Sequence, residues 1–425
     1  MTQIEVVGIG LDGAIGLTTT AREIIKQATV LVGSRRHLSY FPEYQGDKIF
    51  LDNLQQGLES ICRFLTSDRY VVILASGDPL FFGLGRLLLE KFPAERITFH
   101  PHFSSVQLAC SRLKIPWQDV ELISVHGRST DELIKLFKQG KEKIAILTDN
   151  LNNPGAMARI YLALDLPIHY SFYICENLGD EREQIKHFAP EQIIELAKLN
   201  SGDFASLNVL ILLRQEIETT IDISNLPLIG IGDRLFYSFR DRPSLITKKE
   251  IRTAILAELA LQPQQIIWDI GAGTGSVSIE IARLCPESQI FAVEKTSIGA
   301  SLIVKNCQRF QTDNIKIICG NAPQSLLELP YPDRIFIGGS GGNLTDILEI
   351  CSQKILPQGK IVIALATVEH CHQAIAYLAK NSWHYSLLHL QISRSTPIKH
   401  LTRFTPLNPV TIITASLDNY SDLNS

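Results

Sequence analysis

Residues 266–295 read IIWDIGAGTGSVSIEIARLCPESQIFAVEK. Ile266, Ile267 and Trp268 form a short apolar run that stops at Asp269, as a buried strand does. Gly271, Gly273 and Gly275 then let the backbone turn sharply and approach a ligand where a Cβ would collide. From Ser276 the pattern is amphipathic and predicts a helix. A second strand, Gln289 to Val293, ends in Glu294, and a carboxylate at the C-terminal edge of a strand can accept hydrogen bonds from both hydroxyls of a ribose. The stretch therefore predicts a strand-helix-strand unit of an α/β sheet with a pocket for an adenosine-bearing ligand.

The loop chemistry narrows the ligand. A dinucleotide fingerprint, G-x-G-x-x-G, sets a pyrophosphate on a helix N-terminus. Here the glycines alternate as G-x-G-x-G behind Asp269, whose charge would repel a pyrophosphate and would suit the ammonium of an amino-acid tail. The segment resembles the glycine motif of class I S-adenosylmethionine methyltransferases. That resemblance implies cofactor contacts at Asp269, Gly271, Gly273, Thr274, Gly275 and Glu294. A nicotinamide oxidoreductase, a methyltransferase acting on RNA and a non-catalytic adenosine-ligand sensor are the competing readings, and an ordinary glycine-rich turn would show the same letters.

Further strands are expected at 315–318, 334–337, 360–365 and 410–414. The loops after the first two belong at the ligand edge of such a sheet. Gly320, Asn321 and Ala322 form a short stretch able to flank an adenine. Gly338-Gly339-Ser340-Gly341-Gly342 leaves room for a bulky acceptor, with Gly339 and Gly341 as candidate substrate contacts. Upstream, Thr247 and Glu250 have capping-box spacing at the start of a helix expected over 247–261, and Thr247 is also a candidate cofactor contact. Arg234, Arg240 and Arg242 surround Phe236, Tyr237 and Phe239, and guanidinium groups beside aromatics suit a flat ligand bearing carboxylates. Arg240 and Arg242 are the substrate candidates, against the plainer alternative of solvated surface arginines.

A chain of 425 residues exceeds one ordinary core, which predicts two or more domains. Its 45% hydrophobic and 20% charged residues are those of a globular protein. No apolar run approaches the roughly 18 to 20 residues that span a bilayer. The chain opens directly on a strand pattern at Ile4 with no secretory segment, so a cytoplasmic protein is expected. A net charge of −4 gives no overall attraction to nucleic acid. The eight cysteines are scattered, without C-x-x-C pairs, and read as reduced, buried residues. His370-Cys371-His372 lacks metal-ligand spacing, so no metal is expected.

The first half alternates strands with amphipathic helices, the strands lying at 4–9, 70–75, 97–99, 120–124, 144–147, 168–175 and 207–213, and residues 214–228 read as connector. The first domain is placed at 1–219 and the second at 220–425, with 421–425 as a frayed tail. Strand 1 leads into Gly8-Ile9-Gly10-Leu11-Asp12-Gly13, and the next into Ser76-Gly77-Asp78-Pro79-Leu80-Phe81-Phe82-Gly83. With Leu17-Thr18, Arg35-Arg36-His37, Pro101-His102-Phe103-Ser104-Ser105 and Asp149 to Pro154, these strongly resemble the tetrapyrrole methylases, a class III family. Leu11 stands where the family usually has proline, as in the branch acting late in corrin synthesis.

Taken together, nearly the whole chain resembles the fused corrin-ring methyltransferases of cobalamin biosynthesis. The resemblance implies a class III domain of two α/β subdomains followed by a Rossmann-like class I domain, with one S-adenosylmethionine site in each half. It also implies a corrinoid tetrapyrrole substrate methylated at ring carbons 5 and 15, with loss of carbon dioxide from the acetate on carbon 12, and a homo-oligomer binding neither membrane nor nucleic acid. The first cofactor cleft maps onto Leu11, Gly77, Asp78, Phe81, Ser104, Ser105 and Ala205. No catalytic acid, base or nucleophile is assigned.

Overall fold

The computed structural model describes residues 3–51, 57, 59, 61, 69–216, 221–398 and 401–417. The expected domain junction at 219/220, Cys62 and the expected tail at 421–425 lie outside them. The chain packs into two compact units, residues 1–130, 142–155 and 171–213, and residues 131–141, 156–170 and 214–425.

The first unit is built on a five-stranded sheet of β1 (Ile4–Ile9), β2 (Val30–Gly33), β3 (Asp47–Phe50), β4 (Val71–Ser76) and β5 (Ile97–His100), in the order β3-β2-β4-β1-β5. All its pairings are parallel. Strands covered on both faces need continuous apolar sequence. All six residues of β1 are accordingly buried, Ile4 and Val6 packing with Ile73 and Leu88, and Val7 and Ile9 with Leu74 and Ile25. The one charge in β1, Glu5, meets Nε2 of His100 on β5 at 2.7 Å.

A second sheet contains β6 (Glu121–Ser124), β7 (Lys143–Leu147), β8 (His169–Glu176), β9 (Gln184–Phe188) and β10 (Asn208–Gln215), ordered β6-β7-β10-β8-β9. β6 and β7 are parallel, whereas β7 with β10 and β8 with β9 are antiparallel. Strands β2, β3 and β9 were not anticipated. β2 has only four residues, and β3 and β9 are edge strands with largely solvated side chains, so neither length nor alternation marked them.

The second unit centres on β11 (Ile266–Ile270), β12 (Gln289–Glu294), β13 (Ile315–Cys319), β14 (Arg334–Ile337), β15 (Lys360–Leu365), β16 (His384–Leu390), β17 (Ser393–Ile398), β18 (Leu401–Pro406) and β19 (Val410–Ser416). Seven of these form a sheet ordered β13-β12-β11-β14-β15-β19-β16. The first five are parallel, and β19 runs antiparallel to both β15 and β16. Helices Lys249–Leu259 and Ser276–Leu284 cover one face through Ile255, Leu259 and Ile281. Leu344–Lys354 and Val368–Lys380 cover the other through Ile347, Leu348 and Leu378. β17 and β18 pair only with each other, as an antiparallel hairpin. The order reverses between β11 and β14, which opens a crevice at their carboxyl ends, where ligands of such sheets bind.

Candidate functional site

That crevice is a cavity of about 620 Å³. The loop after β11 contributes Gly271, Gly273 and Thr274, the end of β12 Glu294 and Lys295, the loop after β13 Asn321 and Ala322, and the loop after β14 Gly339 and Gly341. Two glycines have different reasons to be there. At Gly271, φ is +73° and a Cβ would lie 2.4 Å from the Gly339 carbonyl oxygen, so the loops after β11 and β14 touch backbone to backbone. At Gly273, φ is +58° and the nearest atom to a Cβ is 4.0 Å away, which leaves that space to a ligand.

Glu294 is held rigidly. Its Oε2 accepts from the Gly273 N–H at 3.1 Å, and its Oε1 from the N–H and hydroxyl of Thr296 at 3.0 and 2.7 Å. A carboxylate oxygen has two acceptor sites, so Oε2 keeps capacity for a ligand hydroxyl. The open space at Gly273, the fixed acceptor at Glu294 and the cavity volume together fit the adenosine cofactor implied by the sequence.

Several expected contacts are placed otherwise. Asp269 is fully buried and absent from the cavity wall; its Oδ2 accepts from the N–H and hydroxyl of Ser278, tying β11 to the following helix. Burial pushes its pKa up to about 6, against the Ser278 hydrogen bonds and with a small addition from the charge of Glu294. Desolvation thus outweighs those hydrogen bonds in setting its pKa. Gly275 opens that helix against Ile303 and is also off the wall.

The capping box at Thr247 does not form. The helix begins at Lys249 with Lys248 as its N-cap and no side-chain cap, because the Glu250 carboxylate is taken by Arg394. Thr247 stands on the cavity wall instead. Of the three clustered arginines only Arg242 lines the cavity, its guanidinium 5.5 Å from the Phe239 ring and 3.1 Å from Asp241. Arg240 pairs with Glu216 at 3.0 Å, and Arg234 lies 3.7 Å from Asp165. Phe236 packs into the core on Phe310.

What holds this wall was not anticipated. Arg252, with no exposed surface, donates from Nε to Glu280 at 2.8 Å, from Nη1 to Asp233 at 2.7 Å, and to the carbonyls of Thr247 and Ile231. Arg394, on β17, donates from Nη2 to Asp233 at 3.1 Å and from Nε and Nη2 to Glu250 at 2.9 and 2.7 Å. Arg394, Thr396 and Lys248 then line the cavity. One signal was readable: Arg252 interrupts the apolar helix face of Ile251, Ile255, Leu256 and Leu259, and a charge on such a face requires a buried partner.

The first unit has its own cavity, of about 470 Å³. Leu11 follows β1, Gly77, Asp78 and Phe81 follow β4, and Ser104 and Ser105 follow β5, all on its wall. Asp78 also forms its turn, Oδ1 accepting from the Leu80 N–H at 2.9 Å. Ser104 caps helix Ser105–Leu113 in a capping box with Gln107. Ala205 is off the wall, its N–H given to Glu176 at 2.7 Å, while Leu207, Asn208 and Val209 line it. Arg36, His37 and Ser76 are additions: the Ser76 hydroxyl lies 2.8 Å from Nη2 of Arg36 and 3.0 Å from Nε2 of His37. Burial, followed by the charge of Arg36, pushes the His37 pKa down to about 4, so this histidine is neutral at physiological pH.

Among the described residues no helix is long and apolar enough to cross a membrane. Comparison with known proteins gives a consistent picture. The family model described as Tetrapyrrole (Corrin/Porphyrin) Methylases matches residues 3–193, and the one described as Precorrin methyltransferase domain matches 239–416. Precorrin-6Y C(5,15)-methyltransferase [decarboxylating] of a Sinorhizobium species is 32% identical over 96% of this chain and 95% of its own length. Two Salmonella typhimurium proteins match parts of the chain. Cobalt-precorrin-6B C(15)-methyltransferase (decarboxylating) is 36% identical over 43% of this chain and 93% of its own length. Cobalt-precorrin-7 C(5)-methyltransferase is 35% identical over 44% of this chain and 90% of its own length.

Proposed function

We infer the chemistry from one premise: this chain belongs to the precorrin-6Y C(5,15)-methyltransferase (decarboxylating) family, and as such is a methyltransferase of corrin biosynthesis that uses S-adenosylmethionine. We propose that residues 1–219 methylate carbon 5 and that residues 220–425 methylate carbon 15 and remove carbon dioxide from the carbon-12 acetate. The substrate is precorrin-6Y or its cobalt form, and the product is precorrin-8X. One S-adenosylmethionine binds in each half, and the protein works in the cytoplasm as a homo-oligomer without nucleic acid.

The observation that carries this reading is the presence of two separate strand-end cavities, one in each unit, each lined by glycine loops of its own. In the second, Glu294 would hold the ribose hydroxyls, the backbone at Gly273 would pass beneath the cofactor, and Asn321 and Ala322 would flank the adenine. In the first, the loops at Leu11, Gly77 to Phe81 and Ser104 to Ser105 would do the same work. When bound, S-adenosylmethionine supplies an electrophilic methyl group. The chain's part is to hold an electron-rich ring carbon in line with it, which converts a bimolecular encounter into an oriented one. Gly339 and Gly341 keep the wall low enough for a macrocycle, and Arg242 offers a guanidinium to one of its carboxylates.

Mass spectrometry after incubation with precorrin-6Y and labelled S-adenosylmethionine tests this. Two methyl groups gained and one carbon dioxide lost is the expected product. Binding of NAD with indifference to S-adenosylmethionine would sink the reading.

A further inference from the structure

Loss of carbon dioxide from an acetate side chain leaves an electron pair that the conjugated ring can absorb, but the methylene carbon must then receive a proton. The wall of the second cavity offers arginines and lysines as candidate donors. Arginines cannot serve, since the guanidinium does not deprotonate in proteins. Arg394 is in addition clamped between Asp233 and Glu250. Of the lysines on the wall, Lys295 is solvent-exposed, and Lys138 comes from the last turn of helix Asp131–Gln139. Lys248 differs from both. Its Nζ donates to the Ser244 carbonyl at 3.0 Å, which fixes the ammonium and leaves two further N–H groups.

We propose that Lys248 is the proton donor of the decarboxylation. This deepens, and rests on, the assignment of that step to the second cavity. The bond between the methylene carbon and the carboxylate breaks, carbon dioxide leaves, and the electron pair passes into the ring. In step with that loss a proton moves from Nζ of Lys248 to the methylene carbon, the ring returns the pair to form the C–H bond of a methyl group, and the neutral amine recovers a proton from water. The ammonium also attracts the carboxylate into place before the bond breaks. The surroundings suit a donor: desolvation lowers the Lys248 pKa below the usual lysine range, Asp233 and Asp165 oppose the shift, and Arg394 and Arg252 add to it. A weaker ammonium gives up its proton more readily.

The test measures carbon dioxide released against methyl transferred at carbon 15, in single turnovers of the full-length protein. Lys248→Met and Lys248→Arg should each lower that ratio by about 100-fold or more, within the range of general acid catalysis. Both should accumulate product that keeps the carboxylate. The arginine variant keeps the charge, so decarboxylation at the wild-type ratio in Lys248→Arg overturns the proposal.

A second measurement needs no variant. In the wild type, carbon dioxide release should fall on the alkaline side at a pH where methyl transfer does not, and parallel profiles for the two steps overturn the proposal. Wild-type protein that transfers both methyl groups yet releases no carbon dioxide overturns instead the reading beneath it.

Discussion

The two cavities sit at the same place on their sheets, yet they are held open by different forces. In the first unit the wall is backbone turns and capped loops: Asp78 closes its own turn and Ser104 caps the next helix, while a neutral His37 rests beside Ser76. In the second, a buried set of full charges, Arg252 with Asp233 and Glu280, supports the wall from behind. Local hydrogen bonds specify a loop one turn at a time. A buried ion cluster couples positions far apart in sequence, here 233, 252, 280 and 394, and removing one leaves its partners buried with less compensation.

That contrast can be broken experimentally. Gly273→Arg should fill the second cavity and bring carbon-15 methylation and decarboxylation to background, while an intermediate already methylated at carbon 15 and decarboxylated is still methylated at carbon 5. Product mass spectrometry would show it, and failure to methylate carbon 5 of that supplied intermediate would mean the cavities are not separate sites. Arg252→Met should cost about 3–5 kcal/mol of stability, because it takes the guanidinium from buried Glu280 and one of two from buried Asp233. Denaturant unfolding would read this, and a shift below 1 kcal/mol would count against the cluster as the support of the wall.

The two units should also answer acid in opposite senses. His37 has a folded pKa of about 4 against 6.5, so its contribution is present above pH 6.5 and lost as pH falls toward 4. Asp269 is raised from 3.8 to about 6, so its contribution is present below pH 3.8 and lost as pH rises through 6. Each amounts to about 3 kcal/mol across its window. Unfolding measured from pH 4 to 7 should lose the rising component in His37→Asn and the falling one in Asp269→Asn. Smallest of the set, Asp78→Ala should slow carbon-5 methylation about 10-fold, worth about 1.4 kcal/mol, and leave carbon-15 methylation alone. Equal slowing of both would mean Asp78 acts on the whole fold.

Much of this architecture was legible because continuous apolar strands and glycine loops are local signals. Residues 266–295 gave β11, the turn, the helix and β12 within a residue or two, and the loops after β1, β4 and β5 were likewise marked. The ion cluster was hidden because its members carry no shared spacing: Arg394 comes from β17, about 140 residues after Arg252. β17 itself was missed because Ser-Arg-Ser-Thr alternates polar with polar, so period-2 burial of Arg394 and Thr396 leaves no hydropathy trace. Thr247 misled for a related reason: the capping box has the right letters, but the Glu250 that would complete it was claimed by a partner invisible in the local sequence.

The contact between Gly271 and Gly339 sets a rule for anyone recombining such domains. Because two main chains meet there with no space for a side chain at position 271, the turn at 271–275 and the turn at 338–341 are a single transplantable part. A chimera that imports one turn and keeps a native counterpart of different contour would bring two backbones into collision. A chimera that exchanges both together would carry the pocket floor across intact.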